Sequence, residues 1–330
     1  MPVRIRDGSH TLHVQAESSH QYYTYYLSGL DQALGGTRLR FGTSGFPSLR
    51  SPRDGMSIIT ETRRRIFLAA DDGTEINLDA LAWCDIYAKI NLLPSDEKNF
   101  GGGKLVALGP GFGIRWGKRT AALALSMKAS FAGGGRFASP AARLRAADRH
   151  WRSRSSLGAY EPGHSDPTYL FMVATYWTNH VPDNEERIVA LNAARGISGL
   201  QFEGGLVPNG VCDLATALRA AAYSHDQYLT NLKRSVAAIN TAAVHGCLGW
   251  KLGEFFALGK AIITTPIQHA MPGDYSPGRH AHEVDGSEES WREAIDLVRN
   301  DDRYRAMLEA NARKYFEDWI APVSAAARLL

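Results

Sequence analysis

The segment Cys247–Pro266, CLGWKLGEFFALGKAIITTP, places a lysine and a glutamate at the start of an apolar helical pattern. Lys251 lies in the first turn of the predicted helix, and Glu254 follows three residues later on the same helix face. A helix N-terminus carries partial positive charge, which disfavours a lysine unless an anion shares the site. The pattern therefore predicts that Lys251 and the backbone amides at this end bind phosphate groups.

The loop before this helix supplies the rest of the predicted binding site. Gly246 and Gly249 have no Cβ, so a ligand can approach the backbone around Cys247 closely. The Glu254 carboxylate can accept two hydrogen bonds from a vicinal diol such as ribose. The segment thus suits a phosphorylated ribonucleoside. The alternative is an exposed i,i+3 Lys–Glu pair, which is worth only about 0.3 kcal/mol.

Further candidates follow other predicted strands. Glu203 and Gly204, in FEGG (202–205), are expected to contact the same ligand at a cleft rim, or else to form a structural turn. Glu17 and His20 follow the first predicted strand, where ligands of α/β sheets bind. Either side chain can take a proton from a nucleophilic hydroxyl, and an exposed position near a helix start is the alternative for His20.

The stretch GWKLGEFFALGKAIITTP resembles the nucleotide-sugar-binding segment of GT-B glycosyltransferases, and the similarity extends over residues 168–330 through TYLFMVATYW, SVAAINT and ARKYFEDWIAPVSAAARLL. The resemblance implies a nucleoside-diphosphate sugar as donor substrate and a C-terminal helix that crosses back to the N-terminal domain. Two features depart from the family. Gly246 stands where retaining members carry the first glutamate of E-x7-E, which favours inversion. The sequence ESSHQYY replaces the N-terminal glycine-rich loop.

The elements that position these residues alternate as β-strands and helices, which is typical of parallel sheets covered by helices. We expect two Rossmann-like, doubly wound domains. The predicted division is an N-terminal acceptor-side domain (1–150), a nucleotide-sugar-binding domain (151–305) and a C-terminal helical segment (306–330). Residues 132–167, rich in Gly, Pro, Ser and Arg, are predicted as a linker region that contains one helix.

Composition narrows the classes of partner. The net charge of +3, without a basic stripe, does not indicate nucleic acid. The three cysteines lie far apart and form no metal motif, and DDG (71–73) is predicted as a turn, so no metal and no cofactor besides the donor substrate is expected. The N-terminus lacks a signal-peptide pattern, which predicts a cytoplasmic protein. Tyrosines in the first helix suggest either peripheral contact with the inner membrane face or core packing.

Three functions remain open from the sequence. A glycosyltransferase would move the sugar to a hydroxyl of a glycan, a lipid-linked sugar or a small metabolite. A nucleotide-sugar 2-epimerase would share the donor site but would interconvert free nucleotide sugars without an acceptor. A non-catalytic nucleotide-sugar-binding protein would keep the donor site and lack a base in the N-terminal half.

Overall fold

The computed structural model describes residues 10–100 and 103–330. The chain forms two compact units. The first unit runs to Leu157 and also includes His269–Pro272 and Trp319–Leu330, and the second comprises Gly158–Gln268 and Gly273–Asp318. Each unit contains a predominantly parallel sheet with helices, so the predicted class of two α/β units is confirmed.

The first unit contains a six-stranded sheet in the order β2-β1-β3-β4-β5-β6. The strands are β1 (His10–Gln15), β2 (Thr37–Gly42), β3 (Met56–Ile59), β4 (Arg65–Ala69), β5 (Ile86–Lys89) and β6 (Leu105–Ala107). Among these described strands, β3 runs antiparallel to both β1 and β4, while the others are parallel. A tight turn with Arg63 at φ 66° joins β3 to β4. Because so short a connection can only reverse the chain, the sheet is mixed rather than fully parallel as predicted.

The helices of the first unit are α1 (Thr24–Ala33), α2 (Leu78–Trp83), α3 (Asp96–Phe100), α4 (Arg119–Ala132) and α5 (Pro140–Arg152). The helix expected inside the linker is α5, which is capped by the Ser139 hydroxyl accepting from Ala142 N at 3.3 Å. Tyr23, Tyr25 and Tyr26 are buried, with at most 2% exposure. Of the two alternatives for the tyrosines, core packing is therefore the one found at these positions.

The C-terminal segment returns to the first unit. Helix α11 (Pro322–Ala327) packs against α1, and the Tyr25 hydroxyl donates to Ile320 O at 3.0 Å. A Cβ on Gly29 would lie 1.9 Å from Pro322 O, so only glycine permits this approach of the two backbones. The predicted crossing of the C-terminal helix to the N-terminal part of the chain is confirmed.

The second unit contains β7 (Tyr169–Trp177), β8 (Gln201–Asn209), β9 (Ala238–Asn240), β10 (Ile262–Thr264) and β11 (His282–Glu283). Parallel ladders join β7 to β8 and β9 to β10 to β11. The two ladders meet where Val236 N donates to Tyr169 O at 2.8 Å, just before β9. The strands of this unit thus form two sheets, β7-β8 and β11-β10-β9, which adjoin at this hydrogen bond.

The helices of the second unit are α6 (Val181–Arg195), α7 (His225–Arg234), α8 (Trp250–Ala257), α9 (Glu288–Asn300) and α10 (Asp302–Tyr315). Ser287 caps α9, since its hydroxyl accepts from Ser290 N at 3.1 Å. Helix α6 begins at Val181, and the Asn184 side chain near its start bonds the backbone of Trp177. Trp291 is fully buried in the core that α6 and α9 share with the sheet. No helix in the described ranges is long and apolar enough to span a bilayer.

Candidate functional site in the second unit

The loop between β9 and α8 forms a turn at the carboxyl edge of the sheet. Residues Val244–Gly246 form a single 3-10 turn in which His245 and Gly246 have φ of 61° and 71°. Gly249 is the N-cap of α8, which begins at Trp250 as the sequence predicts. A Cβ built on Gly246 would meet nothing within 4 Å. The glycine therefore provides the left-handed conformation of the turn and leaves open space beside it.

The amides expected to bind phosphate are in part already bonded. Gly246 N donates to Ala243 O at 2.9 Å, and Cys247 N donates to Val244 O at 3.3 Å. The Cys247 side chain is buried, with 3% exposure. As the turn stands, these two amides close the loop rather than face a ligand, which corrects our expectation for Gly246 and Cys247 as direct phosphate donors.

Lys251 is half-buried in the first turn of α8. Its ammonium donates a hydrogen bond to the carbonyl oxygen of Val173 in β7 and lies 5.9 Å from the centre of the Tyr228 ring. Burial lowers the pKa of Lys251 to about 8, the Glu254 carboxylate opposes this shift, and Arg187 adds to it. An ammonium has three N–H groups, and among the described residues the hydrogen bond to Val173 O uses one of them. Lys251 thus places a positive charge at the N-terminus of α8.

Glu254 is buried, with 5% exposure, on the side of α8 that faces two tyrosines. Its Oε1 accepts from the Tyr160 hydroxyl at 3.3 Å, and its Oε2 accepts from the Tyr228 hydroxyl at 3.0 Å. Burial and the neighbouring carboxylate raise the pKa of Tyr228 well above its ordinary value. The structure thus places Glu254 near Lys251, as predicted, but with both oxygens already bonded to phenols.

Glu203 and Gly204 lie inside β8, because this strand continues to Asn209 instead of ending near residue 205. The Glu203 carboxylate accepts from Tyr169 at 2.8 Å and from Asn231 at 2.8 Å. A Cβ on Gly204, which has φ 127°, would lie 1.9 Å from Met172 O. The two residues therefore pack β8 against β7 within the strand, instead of following its end as predicted.

Arg187 was missed by the sequence analysis. It lies on α6 with 4% exposure and donates to Thr175 O and Ala242 O, both at 3.0 Å. Burial lowers its pKa. These bonds tie the end of β7 to the loop after β9, so Arg187 braces the turn that precedes α8. Its position in the sequence could have identified it as buried. Arg187 precedes the buried Ala190 and Leu191 by three and four residues, which places it on the core face of the helix.

Candidate residues in the first unit

Glu17 follows β1 and is held by an arginine and an amide. Its Oε1 accepts from Arg136 at 2.9 Å, and its Oε2 accepts from the Gln15 side chain at 3.1 Å. The residue is buried, with 6% exposure. A general base must lie within hydrogen-bond distance of the proton that it takes. Both carboxylate oxygens of Glu17 already accept hydrogen bonds from side chains of the first unit.

His20 is buried, with 4% exposure, and its Nε2 lies 3.3 Å from the Ser126 hydroxyl. Burial lowers its pKa to about 4, with the charges of Arg143 and His150 adding to the shift. The ring lines a cavity of about 30 Å³ together with Thr24 and His150. His20 is therefore a neutral imidazole at pH 7 and a weak proton acceptor, in contrast to the expected catalytic base.

No group of three or more His, Cys, Asp or Glu side chains in residues 10–100 and 103–330 is arranged to hold a metal ion.

No family model matches the chain, and no curated protein matches it. Solved structures that it resembles include glycosyltransferases. One is the sucrose-phosphate synthase of Thermosynechococcus elongatus, with 13% identity, 92% of this chain and 90% of that chain covered, and a TM-score of 0.43.

Two further solved structures resemble the chain. A glycosyltransferase from Rickettsia africae has 10% identity and a TM-score of 0.43, over 79% of this chain and 68% of that chain. HepE of Anabaena, solved in complex with UDP-glucose, has 12% identity and a TM-score of 0.41, over 76% and 73%. At these identities and TM-scores the likeness concerns the arrangement of strands and helices, so the function is argued below from the residues themselves.

Proposed function

We propose that the protein is a glycosyltransferase that moves a sugar from a nucleoside-diphosphate sugar to a hydroxyl acceptor. The observation that supports this most directly is Lys251. A half-buried ammonium, with a pKa lowered to about 8, lies in the first turn of α8 beside an open turn at the carboxyl edge of a parallel sheet. Positive charge at this position is suited to a diphosphate.

In the proposed reaction, the bond between the anomeric carbon and the diphosphate oxygen breaks, and its electron pair leaves with the diphosphate. Negative charge then develops on the leaving oxygen, which the Lys251 ammonium and the N-terminus of α8 stabilise. The acceptor oxygen forms the new bond to the anomeric carbon and loses its proton to a base. We propose inversion at the anomeric carbon and no metal ion, since Lys251 supplies positive charge.

Glu254 takes a revised part in this proposal. Both of its oxygens accept from phenols. Its negative charge partly offsets the effect of burial on Lys251 and so keeps the pKa of that ammonium higher than burial alone would. A ribose contact would require the diol to replace the hydroxyl of Tyr160 or Tyr228. Glu203 and Gly204 hold β8 to β7 and are not proposed to contact the donor.

A direct test is a thermal-shift and calorimetry screen of the full chain against UDP, GDP, TDP and CDP, followed by turnover of the matching nucleotide sugars. We expect one diphosphate to bind and Lys251→Ala to weaken it at least tenfold. Lys314→Ala, which removes the same charge from an exposed position on α10, is the matched control. Loss of affinity in both variants, or in neither, would contradict the assignment of Lys251.

Product analysis separates the remaining functions. Transfer to an added acceptor, with the anomeric proton signal read by NMR, reports both the activity and its stereochemistry. Interconversion of free nucleotide sugar without an acceptor would identify an epimerase. Binding of the diphosphate with no consumption of any nucleotide sugar would identify a non-catalytic protein.

A further inference from the structure

An open groove lies on one face of the sheet in the first unit, over β2, β1 and β3. Its volume is about 850 Å³, which is within the range of small-molecule sites. It is lined by residues of these three strands, by the loop 43–46 after β2 and by the turn between β3 and β4. All of these belong to the first unit, whereas Lys251 belongs to the second. The groove is therefore separate from the candidate donor site.

The pattern of the strands leaves this face of the sheet exposed. Arg40, His13 and Ile59 are paired across the three strands, so their side chains stand in one row on the same face. Leu12 and Val14, the neighbours of His13, are buried on the opposite face. His13 and Arg40 are exposed. A sheet covered by helices on both faces would bury such positions, so this polar row is open to a ligand.

Two arginines supply the positive charge of the groove. Arg40 comes from β2, and Arg63 comes from the turn between β3 and β4. Neither guanidinium forms a hydrogen bond or an ion pair with another residue that the structure describes. The carboxylate of Glu61 also lines the groove, but its Oε1 accepts from Thr11 N at 2.6 Å and its Oε2 lies 3.1 Å from His10 Nδ1. The arginines are therefore the charges that can attract a ligand, and that ligand is an anion.

The backbone of Arg63 supports a role for its side chain. Arg63 has φ 66°, in the left-handed region, and its amide closes the turn by donating to Thr60 O at 3.0 Å. Glycine adopts this conformation without strain, and short hairpin loops usually place a glycine there. An arginine kept in a strained conformation in the lining of a groove indicates that the side chain is used.

The loop 43–46 adds hydrogen-bond donors that narrow the class of anion. The amides of Thr43, Ser44 and Gly45 donate to no other residue in the described part of the chain. Successive backbone amides beside serine and threonine hydroxyls are suited to phosphate oxygens. The guanidinium of arginine matches the geometry of phosphate with two parallel N–H bonds. These donors together favour a phosphate ester.

We propose that this groove binds a small organic phosphate. Arg40 and Arg63 hold the phosphate group, and the rest of the molecule lies along the strands towards the loop 43–46. A groove of about 850 Å³ has room for a whole small molecule. Binding here uses no residue of the donor site, so the proposal adds a second site to the protein and does not depend on the proposed glycosyltransferase function.

The test titrates glycerol 3-phosphate into the full chain by calorimetry, with the amide NMR signals of the loop 43–46 marking the site. We expect binding that weakens about tenfold or more in Arg40→Gln and in Arg63→Gln, because each loses a charged hydrogen-bond donor. Arg145→Gln, which removes an exposed arginine from α5 of the same unit, is the matched control. The NMR shifts should persist in Arg145→Gln and in Lys251→Ala. No binding by wild type, or loss of the shifts in either of these two variants, would overturn the proposal.

Arg63→Gly separates a binding role of this arginine from a structural one. Glycine relaxes the strained turn, so we expect a melting temperature equal to or above that of wild type, while the affinity for glycerol 3-phosphate falls as in Arg63→Gln. A lower melting temperature with unchanged affinity would show that Arg63 serves the fold and would overturn the proposal.

Two further ligands test the chemical class and its source. Glycerate carries a carboxylate in place of the phosphate group and should bind more weakly than glycerol 3-phosphate, because it offers fewer oxygens to the two arginines. Vesicles that contain phosphatidic acid present the same phosphate ester on a lipid surface. Equal affinity for glycerate would overturn the assignment of a phosphate. Binding to the vesicles without binding of glycerol 3-phosphate would overturn the small-molecule site and would identify a membrane-binding face instead.

Discussion

The affinity for a nucleoside diphosphate should fall as pH rises through 8, because Lys251 loses its proton there. Burial lowers the pKa of Lys251 to about 8, below the ordinary 10.5. The diphosphate, with a second pKa near 6, stays ionised over this range. A neutral Lys251 offers a hydrogen bond but no charge. Binding and protonation are therefore linked, and the dissociation constant grows in proportion to 1 + 10^(pH − 8).

This linkage determines how much the dissociation constant changes with pH. The factor is about 1.1 at pH 7 and about 11 at pH 9, so the dissociation constant should rise about tenfold between them, or about 1.4 kcal/mol. At pH 8 and above, binding should also take up protons, since the bound anion favours the charged lysine. Calorimetry in buffers of different ionisation enthalpy measures both the affinity and the proton uptake.

Lys251→Arg provides the matched control. A guanidinium keeps its charge over the whole range, so the affinity of this variant should be flat from pH 7 to 9, whatever its absolute value. The reasoning is refuted if wild type shows no change over this range. It is equally refuted if Lys251→Arg shows the same tenfold rise, because another group would then be titrating.

Three further outcomes are expected. Burial lowers the pKa of His20 to about 4, below the ordinary 6.5, so its contribution to the free energy of unfolding is complete above pH 6.5 and has fallen by about 3.4 kcal/mol once the pH is below 4. Denaturant melts should show a flatter acid slope for His20→Gln than for wild type. Gly204→Ala should lower the free energy of unfolding by more than about 4 kcal/mol or prevent folding, because its Cβ would lie 1.9 Å from Met172 O. Gly246→Ala has open space around its Cβ and only a positive φ, so it should lower the free energy of unfolding by about 1 kcal/mol. Equal melting temperatures of the two variants would contradict this. Transfer should persist in EDTA, and a complete loss that Mg²⁺ restores would show that a metal ion is required.

The sequence alone determined the elements whose local pattern is unambiguous. The start of α8 at Trp250, the cap of α9 at Ser287 and the parallel strands of the second unit follow from glycine position, capping chemistry and apolar runs. These features depend on neighbours within a few residues, and a single chain displays them. The lysine at the helix N-terminus was found for the same reason, because its conflict with the helix dipole is visible in the sequence.

Only the tertiary structure decided which polar groups are already occupied. Glu254 looked available until Tyr160 and Tyr228, distant in sequence, were seen to bond both of its oxygens. Asp71 looked like part of a turn until β4 and β5 placed it 3.7 Å from the buried Lys89. Burial and long-range hydrogen bonds fix the charge state and the free donors of a side chain, and both depend on residues that only folding brings together.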